Sequence, residues 1–71
     1  MEVKALQISL KAARINRGIT QDEAGKALSV GRATIGSWES GKTSPRADQM
    51  LALCVLYGVP IDSLIVPKAQ A

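Results

Sequence analysis

Residues 20–42 read TQDEAGKALSVGRATIGSWESGK, and this stretch decides the fold. Thr20-Gln21-Asp22-Glu23 has the form of a capping box, in which the Thr20 hydroxyl accepts from the Glu23 amide while the Glu23 side chain reaches back. Asp22 and Glu23 also place negative charge at the positive end of a helix dipole. The helix so begun carries Ala24, Ala27 and Leu28 as its expected apolar stripe and ends at about Leu28, where Ser29-Val30-Gly31 interrupts it. A second helix is expected over residues 32–40, with Ile35 and Trp38 facing inward three residues apart. Gly41 then stands where a helix wants a left-handed C-terminal residue.

The flanks on either side read as helices too. Residues 10–17 form the expected first helix, with Ser9 as N-cap, Gly18 as stop, and Leu10, Ala13 and Arg14 sharing one face. Residues 1–8 leave three alternatives open: an extension of this helix, a short arm, or a segment pairing with another chain. On the far side, residues 47–57 predict a fourth helix, with Pro45 in its first turn, Ser44 as cap and Gly58 closing it. Met50, Leu51, Leu53, Cys54, Val55 and Leu56 make this the most hydrophobic segment, the expected central core helix. A short fifth helix is expected near residues 61–65, with Leu64 and Ile65 packing back. The whole predicts an all-α, compact four- to five-helix domain over residues 1–66, followed by a frayed tail at residues 67–71.

Composition narrows the function. The chain has 71 residues, enough for one domain and a small core. It contains no Phe, with Trp38 and Tyr57 as its only aromatics, so Leu, Ile, Val and Ala must build the interior. It has no histidine and a single cysteine, Cys54, which excludes His-based dyads, imidazole metal sites and thiolate zinc clusters. Gly41-Lys42-Thr43 lacks the upstream glycine and the strand of a phosphate-binding loop. The chain is therefore not expected to be an enzyme, to bind a cofactor or metal, or to have volume for a small-molecule ligand. No apolar run reaches the ~20 residues of a membrane span, and the first residues lack a signal-peptide pattern. The expected location is cytoplasmic. A net charge of +3 permits a polyanionic partner without requiring one. Residues 25–47 hold four cations (Lys26, Arg32, Lys42, Arg46) against one anion, Glu39, so the basic character is local.

Two short helices joined by a tight turn are the skeleton of a DNA reader, whose second helix must project into a major groove ~12 Å wide. Such a pair needs small residues where the helices cross, supplied by Ala24 and Gly25, and inward anchors, supplied by Val30, Ile35 and Trp38. Helical spacing then leaves Arg32, Ala33, Gly36 and Ser37 facing outward.

The stretch LKAARINRGITQDEAGKALSVGRATIGSWESGKTSP resembles the lambda-repressor/Cro type of helix-turn-helix domain. The resemblance is carried by Arg14 four residues before Gly18, by Ile19-Thr20-Gln21, by Ile35 and by Trp38-Glu39-Ser40-Gly41-Lys42. The later LALCVLYGVPIDSLI is similar to that family's closing segment. The resemblance covers about residues 10–65 and implies a small phage or bacterial transcriptional regulator that binds double-stranded DNA, often as a dimer.

It also implies roles. Arg32, Ala33 and Ser37 fall where family members read bases: arginine can bond guanine O6 and N7, alanine can touch a thymine methyl, and serine can bond a base or a phosphate. For Arg32 a phosphate contact or a merely solvated side chain stays open. Gln21, Thr34 and Lys42 resemble DNA-backbone contacts, with ordinary helix-start polarity the alternative for Gln21. Lys26 and Arg46 add general positive field. Arg14 and Glu39 resemble a structural ion pair tying the first helix to the third. Trp38 and Cys54 are expected in the core.

Three positions depart from the family. Ala24 stands where a larger aliphatic residue is usual. Ser29 replaces a turn glycine, and a positive φ there costs ~1 kcal/mol. Gly36 lies within the reading helix, at up to ~1 kcal/mol relative to alanine. The small surface of Ala33, Gly36 and Ser37 keeps a rival open: a protein-interaction module on the same fold, such as a modulator, antirepressor or antitoxin that binds another regulator. A domain this size covers about one DNA half-site, so a homodimer or a partner regulator is expected. Its contacts would come from residues 1–8 or 56–66, with Tyr57, Val59 and Ile65 partly exposed.

Overall fold

The computed structural model of the chain describes residues 7–65. Helix α1 (Leu10–Asn16) begins where the Ser9 hydroxyl accepts from the Ala12 amide at 3.1 Å. It ends at Arg17, followed by Gly18 at φ +76°. Helix α2 (Gln21–Leu28) starts on a complete capping box: Glu23 N–H donates to Thr20 Oγ1 at 3.1 Å and Thr20 N–H to Glu23 Oε1 at 2.9 Å. The Thr20 backbone N–H first, and the Thr20 side chain second, hold the Glu23 carboxyl below its ordinary pKa, because hydrogen bonds to the charged form favour it.

Between α2 and α3 (Arg32–Ser40) the chain turns on Ser29 at φ 59°, ψ 39°. The turn folds back so closely that a Cβ at Gly25 would lie 2.7 Å from the Val30 carbonyl oxygen. Only glycine leaves that space. Helix α3 closes on Gly41 at φ +83°, where the Gly41 amide reaches the Trp38 carbonyl and the Lys42 amide the Ser37 carbonyl at 2.9 Å.

Helix α4 (Ala47–Tyr57) starts at Arg46 rather than Ser44, correcting the expected cap. The Gln49 side chain, three residues on, accepts from the Arg46 amide at 2.8 Å and closes the helix start, leaving Pro45 outside. The expected fifth helix is reduced to one 3₁₀ turn (Ile61–Ser63). Beyond it Leu64 and Ile65 form β2, paired in parallel with β1 (Ile8–Ser9) in the register Ile8 with Leu64 and Ser9 with Ile65. Backbone groups engaged in this ladder cannot also continue a helix. Of the alternatives for residues 1–8, Ile8 thus pairs within its own chain; residues 1–6 and the expected tail lie outside the described residues.

The described residues are mostly helical, with four helices around one core of Leu10, Ala13, Ala24, Ile35, Trp38, Leu53, Cys54, Tyr57 and Leu64. Three burial expectations need correction. Ala27 is exposed, because Gly25 is buried and turns the inner face of α2 toward the α3 turn. Tyr57 is buried, lying on the face of α4 that also carries Leu53 and Cys54. Helix α4 is central on that face alone: Val55 is 82% exposed and Leu51 56%, against 1% for Leu53. No helix among the described residues is long and apolar enough to cross a membrane.

Candidate nucleic-acid interface

Helix α3 turns Ile35 and Trp38 into the core, and this fixes what it shows outside. Arg32 and Ala33 are exposed, and Gly36 and Ser37 are half-buried on the same outward arc, with exposed Ser40 one turn further. Thr34 sits at the flank, about 60° round the helix from Ser37 by the 3.6-residue repeat, and is half-buried. Lys42 lies exposed in the loop that leaves α3.

The charged groups divide into paired and free. Lys26 Nζ is 3.4 Å from Asp22 and Arg46 Nε 3.3 Å from Asp48, both exposed pairs that dilute the positive field expected of these two cations. Arg32 and Lys42 have no ion-pair partner among the described residues, and neither have Lys11 and Arg17. Free, exposed cations are the ones available to a polyanion.

Beneath this surface lies a polar cluster. Arg14 Nε donates to Glu39 Oε2 at 2.7 Å, its second terminal nitrogen to Oε1 at 3.3 Å, and its first to the Ile19 carbonyl at 2.8 Å. The side chains are 10% and 5% exposed, so α1, the α1–α2 loop and α3 are bound through one guanidinium. The hydrogen bond to Glu39 raises the Arg14 pKa, against the opposing effect of burial. Tyr57 packs close enough to feel both charges. Burial chiefly, with the Glu39 charge second, pushes its phenol up to about 12. Burial likewise pushes the Cys54 thiol up.

Gln21, the first residue of α2, does not stand free. Its Nε2 donates to Glu39 Oε1 at 3.1 Å. Beside it opens a recess of about 250 Å³ lined by Lys11, Gln21, Gly36, Glu39 and Ser40. A broader, shallow cleft of about 480 Å³ runs from Gly18 and Ile19 past Thr20, Gln21 and Asp22 to Arg32. The structure thus brings Gln21 to the outward arc of α3, between Arg32 on one side and Ser40 on the other.

Lys11 was not singled out by sequence reasoning. It lies three residues before Arg14 on α1, and that helical spacing was the available signal. Likewise, the Gln21–Glu39 bond joins residues 18 apart and has no local signature. Among the described residues no three His, Cys, Asp or Glu side chains gather as metal ligands.

Comparison with known proteins agrees with this geometry. The sequence profile of a helix-turn-helix family matches residues 10–64, from the first residue of α1 to the first of β2. The chain is similar to the cryptic phage CTXphi transcriptional repressor RstR of Vibrio cholerae, 35% identical over 52 residues, which cover 73% of this chain and 47% of that protein. It is similar to the transcriptional regulator ImmR of Bacillus subtilis, 38% identical over 56 residues, or 79% of this chain and 44% of that protein. The transcriptional activator BcrR of Enterococcus faecalis is 32% identical over 56 residues, covering 79% of this chain and 28% of its own length. The chain therefore spans less than half the length of each of these relatives. No solved structure matches.

Proposed function

The chain belongs to the lambda-repressor/Cro-type helix-turn-helix family, a family of non-enzymatic transcriptional regulators, and from that premise we propose that it is a sequence-specific double-stranded DNA-binding regulator of the phage or bacterial repressor type. One observation carries the reading. Helix α3 is pinned on its inner side by Ile35 and Trp38 while its outer arc, from Arg32 to Ser40, stays clear of the core, with exposed Arg32 at its start and exposed Lys42 in the loop beyond it. Arg32 reaches a guanine edge, and Ala33 and Ser37 contact neighbouring bases in the major groove. Gln21, Thr34 and Lys42 meet phosphates and set the register, Thr34 from the flank of the helix. Arg14 and Glu39 hold α1 to α3 and touch no DNA.

Two copies, or one copy and a partner regulator, supply the second half-site. Tyr57 is buried and takes no part in such a contact; Ile65, exposed, remains a candidate for it.

The outer arc also favours a second reading, because Ala33, Gly36 and Ser37 are small and uncharged and admit a helix of another regulator. That would make the chain a modulator, antirepressor or antitoxin. Selection from a random pool of short duplexes, with wild type and Arg32→Ala side by side, separates the two. The DNA reading expects an enriched motif that Arg32→Ala blurs at one position, at a cost of ~1–3 kcal/mol. A folded protein that enriches nothing would shift the function to the protein partner.

A further inference from the structure

The ion pair with Arg14 is only part of what surrounds the Glu39 carboxylate. Its Oε1 also accepts from Gln21 Nε2 at 3.1 Å, in a site where the Glu39 side chain is 5% exposed. A carboxylate paired with a guanidinium offers only acceptors, so the Gln21 amide must turn its nitrogen toward it. One N–H is thereby used. The second N–H and the carbonyl oxygen are left for whatever enters from outside.

At the position of α3 facing that amide there is no side chain. Position 36 is glycine, and even a Cβ there would sit only 3.6 Å from Gln21 Nε2 and 3.9 Å from Oε1. A longer side chain at 36 would lie over the amide. The recess of about 250 Å³ opens at this point, with exposed Lys11, which has no ion-pair partner among the described residues, in its lining. A hydrogen-bonded amide, an opening beside it and an exposed cation in the lining therefore coincide.

We propose that Glu39 is a positioning residue for DNA binding: it holds the Gln21 amide so that its second N–H, in the recess that Lys11 also lines, is set to donate to a DNA phosphate oxygen. The inference rests on the DNA reading above. A glutamine otherwise loses its side-chain freedom on binding, and a side chain ordered beforehand does not lose it again. Glu39 accordingly affects affinity through Gln21, in addition to its effect on stability through Arg14.

A phosphate contact is independent of sequence, so a mixed-sequence duplex at low salt serves as the probe. Affinities are measured for wild type, Gln21→Ala, Glu39→Gln and the double variant, at a temperature where thermal melts show all four folded. We expect Glu39→Gln to weaken binding about fivefold when Gln21 is present and less than twofold when it is alanine, the coupling expected of groups in contact. Equal losses in both backgrounds would mean that Glu39 acts through stability alone and would overturn the proposal. Should Glu39→Gln fail to fold, amide NMR of the wild type decides instead. One Gln21 side-chain proton should shift on adding the duplex while the one bonded to Glu39 stays, and two unmoved protons would overturn it. A wild type that binds no duplex at low salt overturns the DNA reading itself, and this inference with it.

Discussion

The α2–α3 turn and helix α4 both pack against the core, yet they are specified in opposite ways. In the turn, single residues answer single geometric demands. Gly25 leaves room for a carbonyl 2.7 Å from its missing Cβ, and Ser29 accepts a left-handed backbone. The Arg14–Glu39 pair ties the ends of the unit to α1. In α4 almost every residue is apolar, and the pattern does not choose which face goes inside. Packing chooses it, burying Leu53, Cys54 and Tyr57 and leaving Leu51 and Val55 in solvent. Polar and backbone constraints locate a segment residue by residue, whereas uniform hydrophobicity only states that it is near the core.

The contrast can be tested by substitution. The largest effect should come from Arg14→Ala, which leaves Glu39 buried without its counter-charge. Such a loss costs ~3–5 kcal/mol, enough to unfold much of a domain this small. An unchanged melting temperature would remove the ion pair from the account. Next, Leu53→Ala should cost ~2–5 kcal/mol while Val55→Ala, two positions away, stays within ~0.5 kcal/mol. Similar losses for both in urea unfolding would mean that α4 is rotated from the position described.

In the turn, Gly25→Ala should cost ~1–3 kcal/mol, because the added methyl meets backbone that cannot swing away. A neutral result would show the turn to be looser than its geometry. Ser29→Gly should act in the opposite sense and stabilise by ~1 kcal/mol, since glycine adopts the left-handed conformation without the serine's penalty.

The smallest effect at neutral pH is that of the Tyr57 phenol. Its folded pKa of about 12 lies above the unfolded value of 10.0, so its contribution is complete below pH 10 and is lost as pH rises toward 12. Melting temperatures should fall across that window, and the fall should shrink in Tyr57→Phe. An equal fall in the variant would assign it to other groups.

Local signals in the sequence placed the helices well. The Thr20–Glu23 capping box, the Ser9 cap and the glycines at 18, 41 and 58 each act within one turn of backbone, so α1 to α4 end within a residue of where the sequence puts them. The outward arc of α3 was legible for the same reason, since Ile35 and Trp38 fix the phase of a single helix. Apart from the Arg14–Glu39 pair, which the family resemblance implied, legibility failed where the partner is distant in sequence. The closing segment became a 3₁₀ turn and a strand because Leu64 and Ile65 pair with Ile8 and Ser9, more than fifty residues away. The Gln21–Glu39 bond and the arrival of Lys11 at the same recess are likewise products of how α1, α2 and α3 pack.

By itself, then, the sequence determined four helices, the Ser9 and Thr20 caps and the outward phase of α3, because hydrogen bonds and side-chain spacing within a helix turn settle them. Only the tertiary structure decided which face of α4 is buried, that residues 8–9 pair with residues 64–65, and that Gln21 joins Arg14 at Glu39. Those outcomes depend on contacts between segments whose separation along the chain carries no periodic signal, and they are settled when the helices dock.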